Sequence, residues 1–209
     1  MPASTAKTGR KLPAWLRFAQ RKTGPLTMFF KEFLKHPVMV GAIVPSSDAL
    51  IARMLSRVDW ANTKIFVEYG PGVGTFSRPI LKKLPHDAQL VVIDTNPDFI
   101  DYLREDIPDP RFIPVLGSAA DVRRIVKEVT GADHVDYVAS GLPFSTLPTG
   151  IAPKIAAETH ALLRTGGAFL VYQYSPKCRS YMAPHFDRID HDMEWWNVPP
   201  AQLYWAWKD

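Results

Sequence analysis

From Lys64 onward, short and nearly all-apolar runs alternate with longer amphipathic ones, and few folds accept that pattern. The apolar runs 64–69, 89–94, 112–116, 135–139 and 168–174 read as strands. Between them, 76–84, 97–106, 121–130 and 151–163 read as helices. A strand that is apolar on both faces must be covered on both, so this alternation predicts a parallel sheet with helices on each side. After Tyr174 the pattern changes, and 193–198 and 202–207 read as an antiparallel pair around Pro199-Pro200. A chain of 209 residues is long enough for one such α/β domain.

Two further helices are expected upstream. Leu12, Trp15, Leu16 and Ala19 share one helical stripe, and Leu26, Phe29, Phe30, Phe33 and Leu34 share another. Gly24-Pro25 separates them, and Pro37 ends the second by pushing His36 out of the α region. Ser46 or Ser47 then caps a helix that buries Leu50, Ile51, Met54, Leu55 and Val58. Residues 1–36 carry eight Lys/Arg against the single acid Glu32, a charge of +7, which leaves −3 of the net +4 on the rest. We therefore divide the chain into a basic amphipathic arm, 1–44, and a domain, 45–209. A basic arm of this kind meets a polyanion, either nucleic acid or an anionic membrane.

The first strand runs into Glu68-Tyr69-Gly70-Pro71-Gly72-Val73-Gly74-Thr75, and Asp94 ends the second strand. Glycines let a backbone approach a ligand closely, and a carboxylate one strand away suits ribose hydroxyls, so an adenosine-bearing ligand is expected. A dinucleotide fingerprint needs glycine where Thr75 stands. The bland alternative is a tight strand–helix turn with no ligand, but it gives two acids beside the turn no purpose.

Several classes are excluded. The single Cys178 forms no internal disulfide and no Cys-rich zinc site, and no histidine pair has metal-ligand spacing, so no metal is expected. No secretory signal and no membrane-spanning run is read, which points to the cytoplasm.

With the glycine loop, Asp94 and the strand–helix alternation in place, residues 45–209 resemble the S-adenosylmethionine-dependent methyltransferases. The resemblance implies a Rossmann-like seven-stranded methyltransferase sheet, mostly parallel with an antiparallel C-terminal strand, here preceded by amphipathic N-terminal helices. It implies that Glu68, Gly70, Gly72, Gly74 and Thr75 cradle the amino acid end of the cofactor. Asp94, with Thr95 and Asn96 beside it, would hold the ribose. Ser118 and Ala119 would flank the adenine, and Ser140 would also contact the cofactor. Ser118 as a mere helix cap is the competing reading.

The fourth strand is followed by Gly141-Leu142-Pro143-Phe144. Enzymes that methylate base amino groups carry Asn or Asp where Gly141 stands, so the side-chain acceptor for a base is missing. Together with Lys35-His36-Pro37 and Gly41-Ala42-Ile43-Val44-Pro45-Ser46-Ser47, this loop resembles that of the small soluble bacterial phospholipid N-methyltransferases. That resemblance implies methylation of phosphatidylethanolamine toward phosphatidylcholine by a monomer held peripherally on the inner face of the cytoplasmic membrane. A nucleic acid methyltransferase is the alternative. It explains the basic arm but not Gly141, and no nucleic acid partner is expected.

The expected chemistry is in-line attack by a neutral amine, which a buried apolar site favours. The Leu142 carbonyl is expected to orient the amine, and Tyr174 to face the growing cation. Tyr172, Trp195 and Trp196 are either further cation faces or core. Ser46, Arg179, Ser180 and Tyr181 are candidate donors to a lipid phosphate, with Lys177 beside them. Leu12, Trp15 and Phe18 are assigned to the lipid interface, and residues 29–34 to a lid.

Overall fold

A computed structural model describes residues 48–195, 197 and 200–209 of the chain. The arm, with its membrane and lid assignments, lies outside the described residues, as do Ser46, Trp196 and Val198. Seven strands form one sheet: β1 (Ile65–Tyr69), β2 (Gln89–Asp94), β3 (Phe112–Leu116), β4 (Val135–Ser140), β5 (Leu163–Gln173), β6 (Arg188–Glu194) and β7 (Ala201–Trp207). Their order is β3-β2-β1-β4-β5-β7-β6. The first five are parallel, and β7 runs antiparallel to both β5 and β6.

Among the described residues six α-helices cover the sheet: α1 (Asp48–Met54), α2 (Ser77–Lys83), α3 (Pro97–Asp106), α4 (Val122–Thr130), α5 (Ile151–Leu162) and α6 (Cys178–Met182). The alternation of the strands sorts the core into two layers. Phe66, Leu90, Val92 and Leu170 pack with Leu50, Met54, Ile80 and Leu103 of α1–α3. Val67, Val91, Val138 and Phe169 pack with Ile125, Ile155 and Met182 of α4–α6. Strands β1, β2, β4 and the apolar stretch of β5 thus bury both faces, as their apolar runs require.

Polar contacts fix the register where burial alone would not. Asp136, at the start of β4, accepts from the Lys64 and Ile65 N–H groups at 2.7 and 2.9 Å and from Arg164 Nε at 2.5 Å. One carboxylate thereby joins the starts of β1, β4 and β5.

The C-terminal hairpin differs from expectation. Its first strand is Arg188–Glu194, not 193–198. The aromatic pair Trp195-Trp196 resembled a strand, whereas the true edge strand is polar and half-exposed. Its acids are satisfied by cations: Arg53 bonds Asp192 at 2.7 Å and Arg57 bonds Asp190 at 2.6 Å. A charged edge strand also resists pairing with other chains. Helix α5 ends one residue early, and β5 starts at Leu163, five residues before the expected Ala168, with a register shift between Val135 and Tyr137 absorbing the difference.

Candidate functional site

The parallel strands β1, β2 and β4 deliver their carboxyl ends to one edge of the sheet, where a crevice forms between loops that diverge on either side of β1. Gly70, Gly72 and Gly74 all take positive φ (64°, 55° and 78°) in the loop after β1. A Cβ on Gly72 would meet nothing within 4 Å, so the loop presents bare backbone to open space there. A Cβ on Gly70 would lie 2.9 Å from Leu142 Cδ2, so the loops after β1 and β4 pack directly together. Thr75 follows, half-buried, just before α2.

Glu68 lies beneath this loop rather than on it. Its side chain is buried, and its Oε2 accepts from Ser77 Oγ at 2.6 Å. Burial pushes its carboxyl up to about 7, Asp94 reinforces the rise, and Ser77 and Arg78 oppose it. Glu68 therefore ties the end of β1 to the head of α2.

Asp94 is half-buried at the end of β2, and its Oδ1 accepts from the Asn96 N–H at 2.8 Å. Burial raises its carboxyl, while the backbone N–H groups of Asn96, Gly72 and Thr95 draw it back down. The Gly72 interaction brings the glycine loop and Asp94 together, as their places in the sequence implied. Thr95 is exposed beside it, and Asn96 caps α3 by accepting from the Asp98 N–H at 2.9 Å. Ser118 accepts from the Ala120 N–H at 3.2 Å, so it caps a turn while also lining the crevice beside Ala119.

The crevice continues as a cavity of about 320 Å³ lined by Asp94, Thr95, Ser118, Ala119, Leu142 and Ile151. Its wall of Leu147, Pro148, Ile151 and Ile155 was not foreseen. The signal was present as Pro148-Thr149-Gly150, a turn opening α5 at the ligand edge. Ser140 is fully buried, and its Oγ accepts from the Leu142 N–H at 3.2 Å, so it shapes the β4 turn.

The β4 loop departs from expectation at its carbonyl. Leu142 O already accepts two hydrogen bonds, from Gln173 Nε2 at 2.5 Å and from the Phe144 N–H at 2.9 Å. Both lone pairs are therefore engaged, and the expected orienting role of the Leu142 carbonyl has no free acceptor behind it. Gln173 was not singled out from the sequence. Phe144 is core, packed edge-on to Phe169 and stacked with the half-buried Tyr181. Tyr181 thus joins the core layer rather than the crevice. Tyr172 stacks on Phe76 with centroids 5.0 Å apart, and its hydroxyl occupies the space above Gly141. Tyr174 Oη accepts from Asn197 Nδ2 at 3.2 Å, which ties the end of β5 to the β6–β7 connection. Lys177, Arg179 and Ser180 are exposed around α6, and Ser180 Oγ donates to the Lys177 carbonyl at 2.8 Å.

Among the described residues no group of three or more His, Cys, Asp or Glu is placed to hold a metal ion. No helix among them is long and apolar enough to cross a membrane.

No family model matches the chain. It is similar to the ornithine lipid N-methyltransferase of Singulisphaera acidiphila, 27% identical over 181 residues, which cover 86% of this chain and 94% of that protein. Among solved structures it resembles the Thermus thermophilus 16S rRNA N2 G1207 methyltransferase determined with AdoMet and guanosine. The TM-score there is 0.60 at 16% identity, over 82% of this chain but only 45% of that one. It also resembles the N-methyltransferase NodS of Bradyrhizobium japonicum, with a TM-score of 0.61 at 11% identity, over 80% of this chain and 99% of that one. The fold is that of the class I S-adenosylmethionine-dependent methyltransferases, as the resemblance implied.

Proposed function

We propose that the protein is an S-adenosylmethionine-dependent N-methyltransferase acting on the amine of a membrane lipid, with phosphatidylethanolamine and its mono- and dimethyl forms as substrates. The observation that carries the proposal is the bare backbone at Gly72, facing open space beside a half-buried Asp94 at the mouth of an apolar cavity. A Cβ would fill that space, and the cavity suits one flat ring with a carboxylate at its rim.

The cofactor, when bound, supplies an electrophilic methyl on a sulfonium. Gly70, Gly72 and Gly74 would hold its amino acid end, with Glu68 beneath them. Asp94 would accept from the ribose hydroxyls, and Ser118 and Ala119 would border the adenine against Leu142 and Ile151. The loop after β4 carries no carboxylate, so catalysis rests on alignment and on keeping the attacking amine neutral. The apolar Leu142 and Leu147 on the cavity wall favour the uncharged form.

Three observations support a lipid over a base. Gly141 stands where base-methylating enzymes carry Asn or Asp, and the 27% identical relative is by name a lipid N-methyltransferase. Trp195 is also exposed (68%) on the β6–β7 connection, at the edge where β5 ends, and Lys177 and Arg179 are exposed at the same edge. Indole and cationic side chains suit an anionic bilayer surface. The arm, with Leu12, Trp15 and Phe18, would add a second contact, and Arg179 and Ser180 would meet the phosphate.

The relative's name favours a second reading, in which the amine belongs to an ornithine lipid. The deciding experiment follows transfer of a radiolabelled methyl to anionic vesicles doped with phosphatidylethanolamine, its methylated forms or an ornithine lipid, and to ribosomal RNA. Labelling of phosphatidylethanolamine is expected. Labelling of the ornithine lipid alone would move the substrate, and labelling of RNA alone would overturn the proposal.

A further inference from the structure

Strand β5 is apolar over 168–171 but ends on Gln173, an amide in a strand position that is only 6% exposed. Gln173 pairs in register with Gln202 of β7, yet its side chain turns to the neighbouring loop, where Nε2 donates to Leu142 O. That contact fixes the amide's direction, because only its NH₂ group can face a carbonyl oxygen and Oε1 must point away. Among the described residues Oε1 takes no hydrogen bond. No fully buried side-chain oxygen there lacks a partner, so Oε1 keeps some accessible surface. Leu142, which holds the amide, lines the cavity and touches Gly70 of the glycine loop. One contact from the cavity, behind Leu142, the fold thus holds a neutral, pre-oriented acceptor beside a carbonyl that has no lone pair to spare.

We propose that Gln173 Oε1 accepts an N–H of the attacking amine and so aims its lone pair at the methyl, the role the sequence suggested for the Leu142 carbonyl. The proposal rests on the N-methyltransferase reading above. In the step, the nitrogen lone pair forms the new N–C bond as the S–C bond breaks and its electrons return to sulfur. The product is a methylated ammonium, whose proton passes to solvent before the next transfer. Gln173 takes no proton. An uncharged acceptor suits this position because it favours the ammonium form, which cannot attack, far less than a carboxylate would.

The number of N–H groups makes the proposal testable. A neutral primary amine has two, a monomethyl amine one and a dimethyl amine none. Gln173→Leu keeps the volume and removes the acceptor. Rates are read on anionic vesicles carrying phosphatidylethanolamine, its monomethyl form or its dimethyl form, with cofactor affinity measured on the same preparations. We expect kcat/KM to fall about tenfold on the primary amine and to stay within about twofold on the dimethyl amine, with cofactor affinity unchanged. Gln173→Glu keeps an acceptor but adds a titrating group, so its rate on the primary amine should gain a new pH limb that the dimethyl amine does not show. An equal loss on all amines with no new limb would make Gln173 a purely structural brace and overturn the proposal, as would no loss on any. If the wild-type protein methylates none of the vesicles, the N-methyltransferase reading itself has failed.

Discussion

The Tyr172 hydroxyl stands 2.5 Å from the position that a Cβ on residue 141 would occupy, and its Cζ stands 3.0 Å away. Gly141 is therefore the residue that lets β5 present Tyr172 over the β4 loop, where the ring stacks on Phe76. Gly141→Ala should destabilise the fold by about 1–3 kcal/mol through overpacking. Pairing it with Tyr172→Leu should recover part of that loss, a coupling of about 1 kcal/mol in urea unfolding. Gly141→Asn should lose lipid methylation without gaining activity on nucleic acid, because the asparagine meets the same ring. Full stability in Gly141→Ala would show that Tyr172 moves aside freely.

Gly70 and Gly72 should separate folding from cofactor binding. Both need positive φ, which costs a residue with a Cβ about 1 kcal/mol or more. At Gly72 that is the whole cost to the fold, because its Cβ meets open space. Gly72→Ala should therefore unfold within a few degrees of wild type yet lose most of its cofactor affinity, measured by titration calorimetry. Gly70→Ala also strikes Leu142, so it should lose both stability and binding. Tight cofactor binding by Gly72→Ala would remove the loop from the cofactor site.

Glu68 should give the cofactor-free protein a stability that depends on pH. Its carboxyl is raised from 4.5 to about 7 by burial. The folded state therefore holds the proton more tightly than the unfolded chain does. The stability it contributes is fully present below about 4.5 and is lost as pH rises through about 7. A shift of that size corresponds to at most about 3 kcal/mol. Glu68→Gln should flatten most of the slope in urea unfolding across that window. Asp94, also raised by burial, leaves a smaller slope of the same sign. An unchanged slope in the variant would mean that Glu68 stays charged in the fold.

Much of the sheet was legible because β1, β2, β4 and the apolar stretch of β5 are buried on both faces, so their composition alone marks them. Asp94 and the glycine loop were legible for a related reason, since a short strand–turn–helix unit leaves little freedom in where its ends fall. Strand β6 was not legible, because its hydrophobic alternation is replaced by Asp190 and Asp192, whose partners Arg57 and Arg53 lie more than 130 residues away in sequence. Gln173 was hidden for the same reason. Nothing local shows that its amide crosses to Leu142, 31 residues earlier, and that contact occupies the Leu142 carbonyl. The hydrogen bonds of Ser140 to the Leu142 N–H and of Ser77 to Glu68 were not legible either, because they depend on which way a buried oxygen turns.

The exposed edge beside α6 and the β6–β7 connection makes a separable prediction for membrane contact. Trp195 should act through its ring, and Lys177 and Arg179 through charge, so lipid composition distinguishes them. An indole leaving water at the interface contributes about 1–2 kcal/mol whatever the headgroup. Each cation contributes about 1 kcal/mol only near an anionic surface, and salt screens it. In vesicle sedimentation, Trp195→Ala should therefore weaken binding about tenfold on neutral and anionic vesicles alike. Lys177→Gln with Arg179→Gln should weaken it by a similar factor on anionic vesicles at low salt, and not on neutral ones. Methylation of a short-chain, water-soluble aminolipid should be unchanged in the Trp195 variant, because that substrate reaches the site without a bilayer. If Trp195→Ala left vesicle binding intact and impaired the soluble reaction instead, the indole would belong to the site's packing and not to the membrane.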